Sequence, residues 1–172
     1  HFYIVTENIE GMTQLPVLRV PDEFAYYKED AGKILLGAFE PDAKPWAMDG
    51  IPDNFEFDQL QEDFDHFEPI LEKAVDRVPL LAEAGVHTFF NGPESFTPDD
   101  AYHLGLAPEM DNFWIAAGFN SIGIQSAGGA GMALAEWMDS GEKPFDLGDV
   151  DISRMQPFQG NRKYLFERSH ET

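Results

Sequence analysis

Cysteine is absent from the 172 residues. That excludes a disulfide scaffold and a thiolate metal site, and it is compatible with a reducing compartment. Long hydrophobic runs are missing too: no apolar stretch approaches the roughly 18 residues that span a bilayer, and no signal-peptide pattern precedes the first strand. Basic residues are scarce, with 11 Lys and Arg against 32 Asp and Glu and a formal net charge of −21. Such a balance opposes nucleic acid and anionic membrane as partners, because phosphate contacts need clustered cations. His1, His66, His87, His103 and His170 are scattered without an H-x-x-x-H spacing, so they support no metal site. Residues 118–122 read GFNSI, which is not the G-x-S-x-G of a nucleophile elbow. Glu94 and Asp99 have the wrong separation for a paired-carboxylate hydrolase.

Aromatic residues are plentiful, 15 Phe and three Trp among them, so disorder is excluded and one sizeable core is expected. The acids concentrate in Asp53–Asp76, read as a solvated face. His1–Glu7 (HFYIVTE), Leu15–Val20, Phe24–Lys28 and Lys33–Phe39 read as strands, the last two joined by a turn at Asp30-Ala31-Gly32. Four strands in about forty residues with short turns argue for an antiparallel sheet. Pro41–Asn54 is a surface loop with Trp46 as its anchor. Phe64, Phe67, Leu71, Ala74, Val75 and Val78 fall at helical spacing, predicting a helix that starts near Asp65 with Pro69 in its first turn. Val86–Asn91 returns to the sheet. The fold class is α+β.

The stretch Asn112–Trp137 organises the rest. Phe113–Ala117 has the pattern of a fully buried strand. A loop of small and polar residues follows, and from Ile124 a helix is expected to bury Ile124, Ala127, Gly131, Leu134, Ala135 and Met138. Gly128, Gly129 and Gly131 each cost a helix roughly 1 kcal/mol relative to Ala, which suggests something large lying against the backbone. A strand, a glycine loop and a helix start together hold electron-rich oxygen atoms well. The alternative is close helix–sheet packing with no ligand.

GFNSIGIQSAGGAGMALAEW, preceded by GPESFTPDD, resembles the C-terminal part of the flavin domain in the glycine-oxidase/sarcosine-dehydrogenase family of FAD amine oxidoreductases. Within that family the chain is most similar to sarcosine and dimethylglycine dehydrogenases, which add a folate-binding half downstream. The resemblance implies FAD as cofactor, a small N-methyl amino acid as substrate, and a site in the mitochondrial matrix of a eukaryote or the cytoplasm of a bacterium. It divides the chain into a substrate-binding region at 1–100, the closing strand and glycine-rich helix of the flavin domain at 101–145, and a tail at 146–172. The G-x-G-x-x-G turn that seats a dinucleotide is missing: Gly129-Ala130-Gly131 begins it, but Leu134 stands where the last glycine belongs, and inside a helix. We therefore expect a piece of a longer polypeptide whose dinucleotide-binding half lies upstream of His1.

By the resemblance, Gly118, Phe119, Asn120, Ser121, Ile122, Gly123, Ile124 and Gln125 lie under the pyrimidine end of the flavin. Their backbone N–H groups face the N1–C2=O edge, with room only for a hydrogen at Gly123. Gln125 stands where monomeric sarcosine oxidases place a lysine toward the substrate carboxylate, so the carboxylate needs another partner. His1 matches a histidine at the substrate site of dimethylglycine-oxidising relatives, or is only a first residue. Tyr27 matches the active-site tyrosine, with Tyr26 the less favoured neighbour because alternation sends it to the other face. Thr97-Pro98-Asp99 matches a family turn, but Asp100 replaces the usual glycine, and His103 is read as surface. A non-catalytic acidic binding or assembly module, with the glycine helix purely structural, is the alternative.

Overall fold

Alternation writes the first sheet. In β1 (Phe2–Thr6), Phe2, Ile4 and Thr6 are buried while Tyr3 and Val5 point the other way. β2 (Leu18–Val20), β3 (Ala25–Asp30), β4 (Lys33–Ala38) and β5 (Val86–Asn91) complete an antiparallel sheet in the order β2-β3-β4-β1-β5. The β3–β4 hairpin closes through Ala31 and Gly32, both at positive φ. That is the twist a two-residue turn requires. β2 is shorter than expected: it starts after Pro16, which has no N–H to give a ladder.

α1 (Phe64–Arg77) covers one face of this sheet with Phe67, Ile70 and Ala74. Its N-cap, Asp63, accepts a hydrogen bond from the His66 N–H at 3.2 Å. Pro69 lies in the second turn rather than the first. The buried face of α1 outweighs the one helical hydrogen bond that proline forgoes. A 3-10 turn, Pro79–Ala82, follows and leads into β5.

The computed structural model describes residues 1–168, in two units: His1–Asp42 with Gly50–Pro93, and Ala43–Asp49 with the chain from Glu94 on. The boundary therefore falls at Pro93 rather than at residue 100, and the loop carrying half-buried Trp46 groups with the second unit.

In the second unit β6 (His103–Leu106) pairs antiparallel with β7 (Trp114–Ala117). β7 is not the fully buried strand expected from its composition. Phe113 is 50% exposed, and Ala116 and Ala117 are exposed, because β6 is its only partner strand among the described residues. α2 (Gly123–Ser140) ends at Gly141, whose left-handed φ lets its N–H reach the Trp137 carbonyl at 2.9 Å, the standard glycine stop. The face α2 buries is also not the expected one. Ala130 and Ala133, with Leu134 and Trp137, pack on Leu104, Leu147 and Val150, while Ile124, Ala127 and Met138 face outward. Trp137 approaches Gly105 so closely that a Cβ there would sit 2.7 Å from the indole. The small Ala130 and Ala133 let the helix approach, and one large indole fills the gap.

Residues 146–168 fold into this unit instead of forming a separate tail. A parallel bridge joins Asp151 to Leu104, and Lys143 forms an ion pair with the Asp151 carboxylate. Two 3-10 turns (Ile152–Arg154 and Pro157–Gly160) then lead into α3 (Arg162–Arg168). His170 lies outside the described residues.

Candidate functional site

The sheet of the first unit has one face under α1 and another that carries aromatic side chains. On that second face the His1 Nε2 lies 2.9 Å from the Tyr26 hydroxyl, with the two rings stacked at 5.9 Å. Phe39 packs on both, 5.0 Å from His1 and 5.8 Å from Tyr26. Tyr26 can lie there because its cross-strand partner is Gly37: any Cβ at Gly37 would collide with the phenol ring. The Arg19 guanidinium stands over Phe39, 5.2 Å from the ring centre. A histidine sharing a proton with a phenol, bounded by aromatics and one arginine, can orient a small amine and exchange a proton with it.

Tyr27 is on the other face. The alternation anticipated from the sequence holds, but it is Tyr26 that shares a face with His1, and Tyr27 that goes into the core with Phe67 and Ile70. Tyr27 is 6% exposed, and among the described residues its hydroxyl has no hydrogen-bond partner. Burial first, and then the Glu23 charge, raise its pKa against the opposing Arg77. The register decides this: Ala25 and Tyr27 lie on the side of the strand that α1 covers.

In the second unit, the loop from Gly118 to Ile122 delivers the chain into α2. Gly118, Asn120 and Ser121 all take positive φ. Gly118 is obligatory, since a Cβ there would also lie 2.6 Å from the Thr97 methyl. Asn120 holds its unfavourable backbone through two hydrogen bonds to one residue: its Oδ1 accepts from the Thr97 N–H and its Nδ2 donates to Thr97 Oγ1, each at 2.9 Å. Ser121 donates to Glu94 at 2.8 Å, and Phe119 stacks on Tyr102 at 4.7 Å.

Thr97 is held in turn. Its hydroxyl donates to the Ala101 carbonyl at 2.9 Å, and the same carbonyl accepts from Arg154 Nη2 at 2.6 Å. Arg154 also grips Asp99 with both arms of its fork, at 2.7 and 3.1 Å, while Arg168 Nε donates to the Pro98 carbonyl at 2.7 Å. Burial works against the Asp99 carboxylate, yet the hydrogen bonds and charge of Arg154, with the Ala101 N–H, hold its pKa below the ordinary value. Asp100 takes the left-handed conformation that a glycine would otherwise supply. His103, expected at the surface, is half-buried in β6. Its Nε2 is buried without a partner among the described residues, and burial, then the Arg154 charge, lower its pKa against the pull of Asp99. Nothing in sequence spacing links Arg154 or Arg168 to residues 55 and 70 positions away.

Gly123, Ile124 and Gln125 form the first turn of α2. The N-cap is Ile122, which has no side chain able to cap, and the three N–H groups have no acceptor among the described residues. Ile124 is 101% exposed. A Cβ at Gly123 would touch the Phe119 side chain, at 3.4 Å from its Cβ and 3.9 Å from its Cγ, and at Gly128, Gly129 and Gly131 it would meet nothing within 4 Å among the described residues. There is therefore room for a methyl at Gly123, and among the described residues nothing lies against Gly128, Gly129 and Gly131. This open, uncapped, positively polarised helix start fits the electron-rich edge of a flavin. By contrast, these residues hold no pyrophosphate turn. A histidine, aspartate and glutamate cluster suited to a metal ion is not found among the described residues.

The structural likeness to solved proteins is clear. L-Proline dehydrogenase from P. horikoshii matches over 90% of this chain and 38% of its own, with a TM-score of 0.66 at 21% identity. That likeness speaks to the fold alone. Among curated proteins, 4-methylaminobutanoate oxidase (formaldehyde-forming) of Paenarthrobacter nicotinovorans is 44% identical over 99% of this chain. Mitochondrial sarcosine dehydrogenase of Mus musculus is 36% identical over 100% of it. The mitochondrial pyruvate dehydrogenase phosphatase regulatory subunit of the same species is 35% identical over 99%. The chain spans about a fifth of the length of these relatives: 21%, 19% and 20% respectively. Residues 140–172 match the FAD dependent oxidoreductase central domain. Residues 1–137 match the FAD dependent oxidoreductase family itself, and the chain belongs to that family.

Proposed function

We propose that the protein containing this chain oxidises the N-methyl carbon of a small amino acid, such as sarcosine or dimethylglycine, with FAD. The observation that carries this reading is the uncapped start of α2, where the N–H groups of Gly123, Ile124 and Gln125 have no acceptor among the described residues and a Cβ at Gly123 would have room. FAD, when bound, supplies the two-electron oxidation of the amine. The chain's own part is positional and electrostatic. With FAD bound, the N–H groups of Gly123, Ile124 and Gln125 would hold its N1–C2=O edge and would supply stabilisation for negative charge there.

The His1–Tyr26 pair keeps the substrate nitrogen in its unprotonated form by accepting its proton. Arg19, which has no ion-pair partner among the described residues, supplies a positive charge for the substrate carboxylate. The oxidised N-methyl group becomes an iminium. Water then releases it as formaldehyde, the product in the name of one relative, or a downstream folate-binding half takes it up. The exposed face of α2 and β7 is covered by the dinucleotide-binding part of the same polypeptide. Two mitochondrial relatives support a matrix location in a eukaryote, and a bacterial protein would act in the cytoplasm.

The test is anaerobic reduction of the FAD-loaded full-length protein by N-methyl amino acids, with N-methyl amines lacking a carboxylate for comparison. Bleaching of the flavin by the amino acids alone is expected. Similarity to a regulatory subunit favours the second reading, a non-catalytic module, and a folded FAD-loaded protein that no N-methyl amino acid reduces would establish it.

A further inference from the structure

We propose that Arg154 and Arg168 are positioning residues for the flavin-facing loop, fixing residues 118–123 through the Thr97–Ala101 turn. The inference rests on the reading that this loop faces FAD. Both arginines come from the segment matching the central domain, whereas the loop belongs to the segment matching the oxidoreductase family itself. They act on two carbonyls and one carboxylate of a single short turn: Arg168 on the Pro98 carbonyl, Arg154 on Asp99 and on the Ala101 carbonyl. Arg154 also donates to the Asp151 carbonyl at 3.1 Å, which ties the guanidinium to its own 3-10 turn and leaves its fork committed to Asp99.

The Ala101 carbonyl is where the arginine and the threonine meet, since it accepts from both Arg154 Nη2 and Thr97 Oγ1. Thr97 is 6% exposed and, among the described residues, is the partner of both side-chain hydrogen bonds of Asn120: its backbone N–H donates to Oδ1 and its hydroxyl accepts from Nδ2. Asn120 and Ser121 stand in the left-handed region immediately before α2. A non-glycine residue stays there only where its surroundings insist on it. Loosening the turn therefore releases Asn120 toward ordinary backbone angles, and that rotation re-aims the N–H groups of Gly123, Ile124 and Gln125. A lysine cannot replace Arg154, because its planar fork, not its charge, spans the Asp99 carboxylate and the Ala101 carbonyl together.

The experiment uses the FAD-loaded full-length protein with Arg154→Lys, Arg168→Lys and the milder Asp99→Asn, and Gly123→Ala as a reference inside the loop. Three quantities are read: flavin reduction potential, flavin retention on dilution, and amide exchange of the 118–125 peptide. The expected result is a more negative potential, roughly tenfold weaker retention in Arg154→Lys, and faster exchange at 118–125 although the substitution lies elsewhere. Faster exchange confined to 97–101 and 150–155, with potential and retention unchanged, makes the arginines structural only and overturns the proposal. Asp99→Asn decides in the same way if Arg154→Lys does not fold. If Gly123→Ala also leaves the potential and retention untouched, it is the flavin-facing reading that fails. A shift in Gly123→Ala alone leaves that reading standing and rejects the role of the arginines.

Discussion

Gly123→Ala separates cofactor contact from packing, because the chain alone favours the substitution. Gly123 has ordinary negative φ at the first position of α2, and the added Cβ meets the Phe119 side chain at ordinary contact distance, 3.4 Å from its Cβ and 3.9 Å from its Cγ. Replacing glycine by alanine at such a site stabilises a fold by about 0.4–1 kcal/mol, through the unfolded chain. On packing grounds the melting temperature should hold or rise. If the flavin edge lies against this turn, the methyl occupies its place and lengthens the hydrogen bonds to the reduced, anionic ring. A hydrogen bond to a charged group contributes roughly 1.5–3 kcal/mol. At 30 mV per 1.4 kcal/mol for a two-electron couple, that is a fall of roughly 30–65 mV in potential. The assay is spectroelectrochemical titration and thermal melting on the same full-length sample. A raised melting temperature with an unshifted potential and full flavin content refutes the reasoning.

Tyr26→Phe should slow flavin reduction by N-methyl amino acids while leaving stability within about 1 kcal/mol, since it removes one half-exposed hydrogen bond to His1. Tyr27→Phe should leave the kinetics unchanged and the stability equal or higher, because it deletes a buried hydroxyl that has no partner among the described residues; stopped-flow reduction and thermal melts check both. Asp99 is held below its ordinary 3.8, so its contribution to stability is complete above that value and is lost as pH falls through the lower folded value. Asp99→Asn should therefore be less stable at neutral pH and lose less on acidification, which denaturant titrations at a series of pH values would measure.

The strand alternation of the first sheet was legible because one face is buried under α1: Phe2, Ile4 and Thr6 follow it residue by residue. The glycine stop at 141 and the positive φ at Ala31 and Gly32 follow from local turn chemistry. The second unit was read less well, for one physical reason. A helix hydrophobic around much of its surface does not disclose which side its neighbours occupy, so α2 buries Ala130 and Ala133 and leaves Ile124 and Met138 exposed. The same ambiguity made β7 look buried. The choice between Tyr26 and Tyr27 depended on which face α1 takes, a tertiary fact. The arginine clamp on the Thr97–Ala101 turn carries no local signal at all: guanidinium and carboxylate meet across 55 residues.

The most direct measurement is the distance from the N–H groups of Gly123, Ile124 and Gln125 to the nearest flavin oxygen in a crystal of the FAD-loaded full-length protein. The account predicts at least one nitrogen within about 2.7–3.2 Å of the C2 carbonyl oxygen. A flavin bound with that carbonyl satisfied elsewhere, and the first turn of α2 capped by protein side chains, would contradict it.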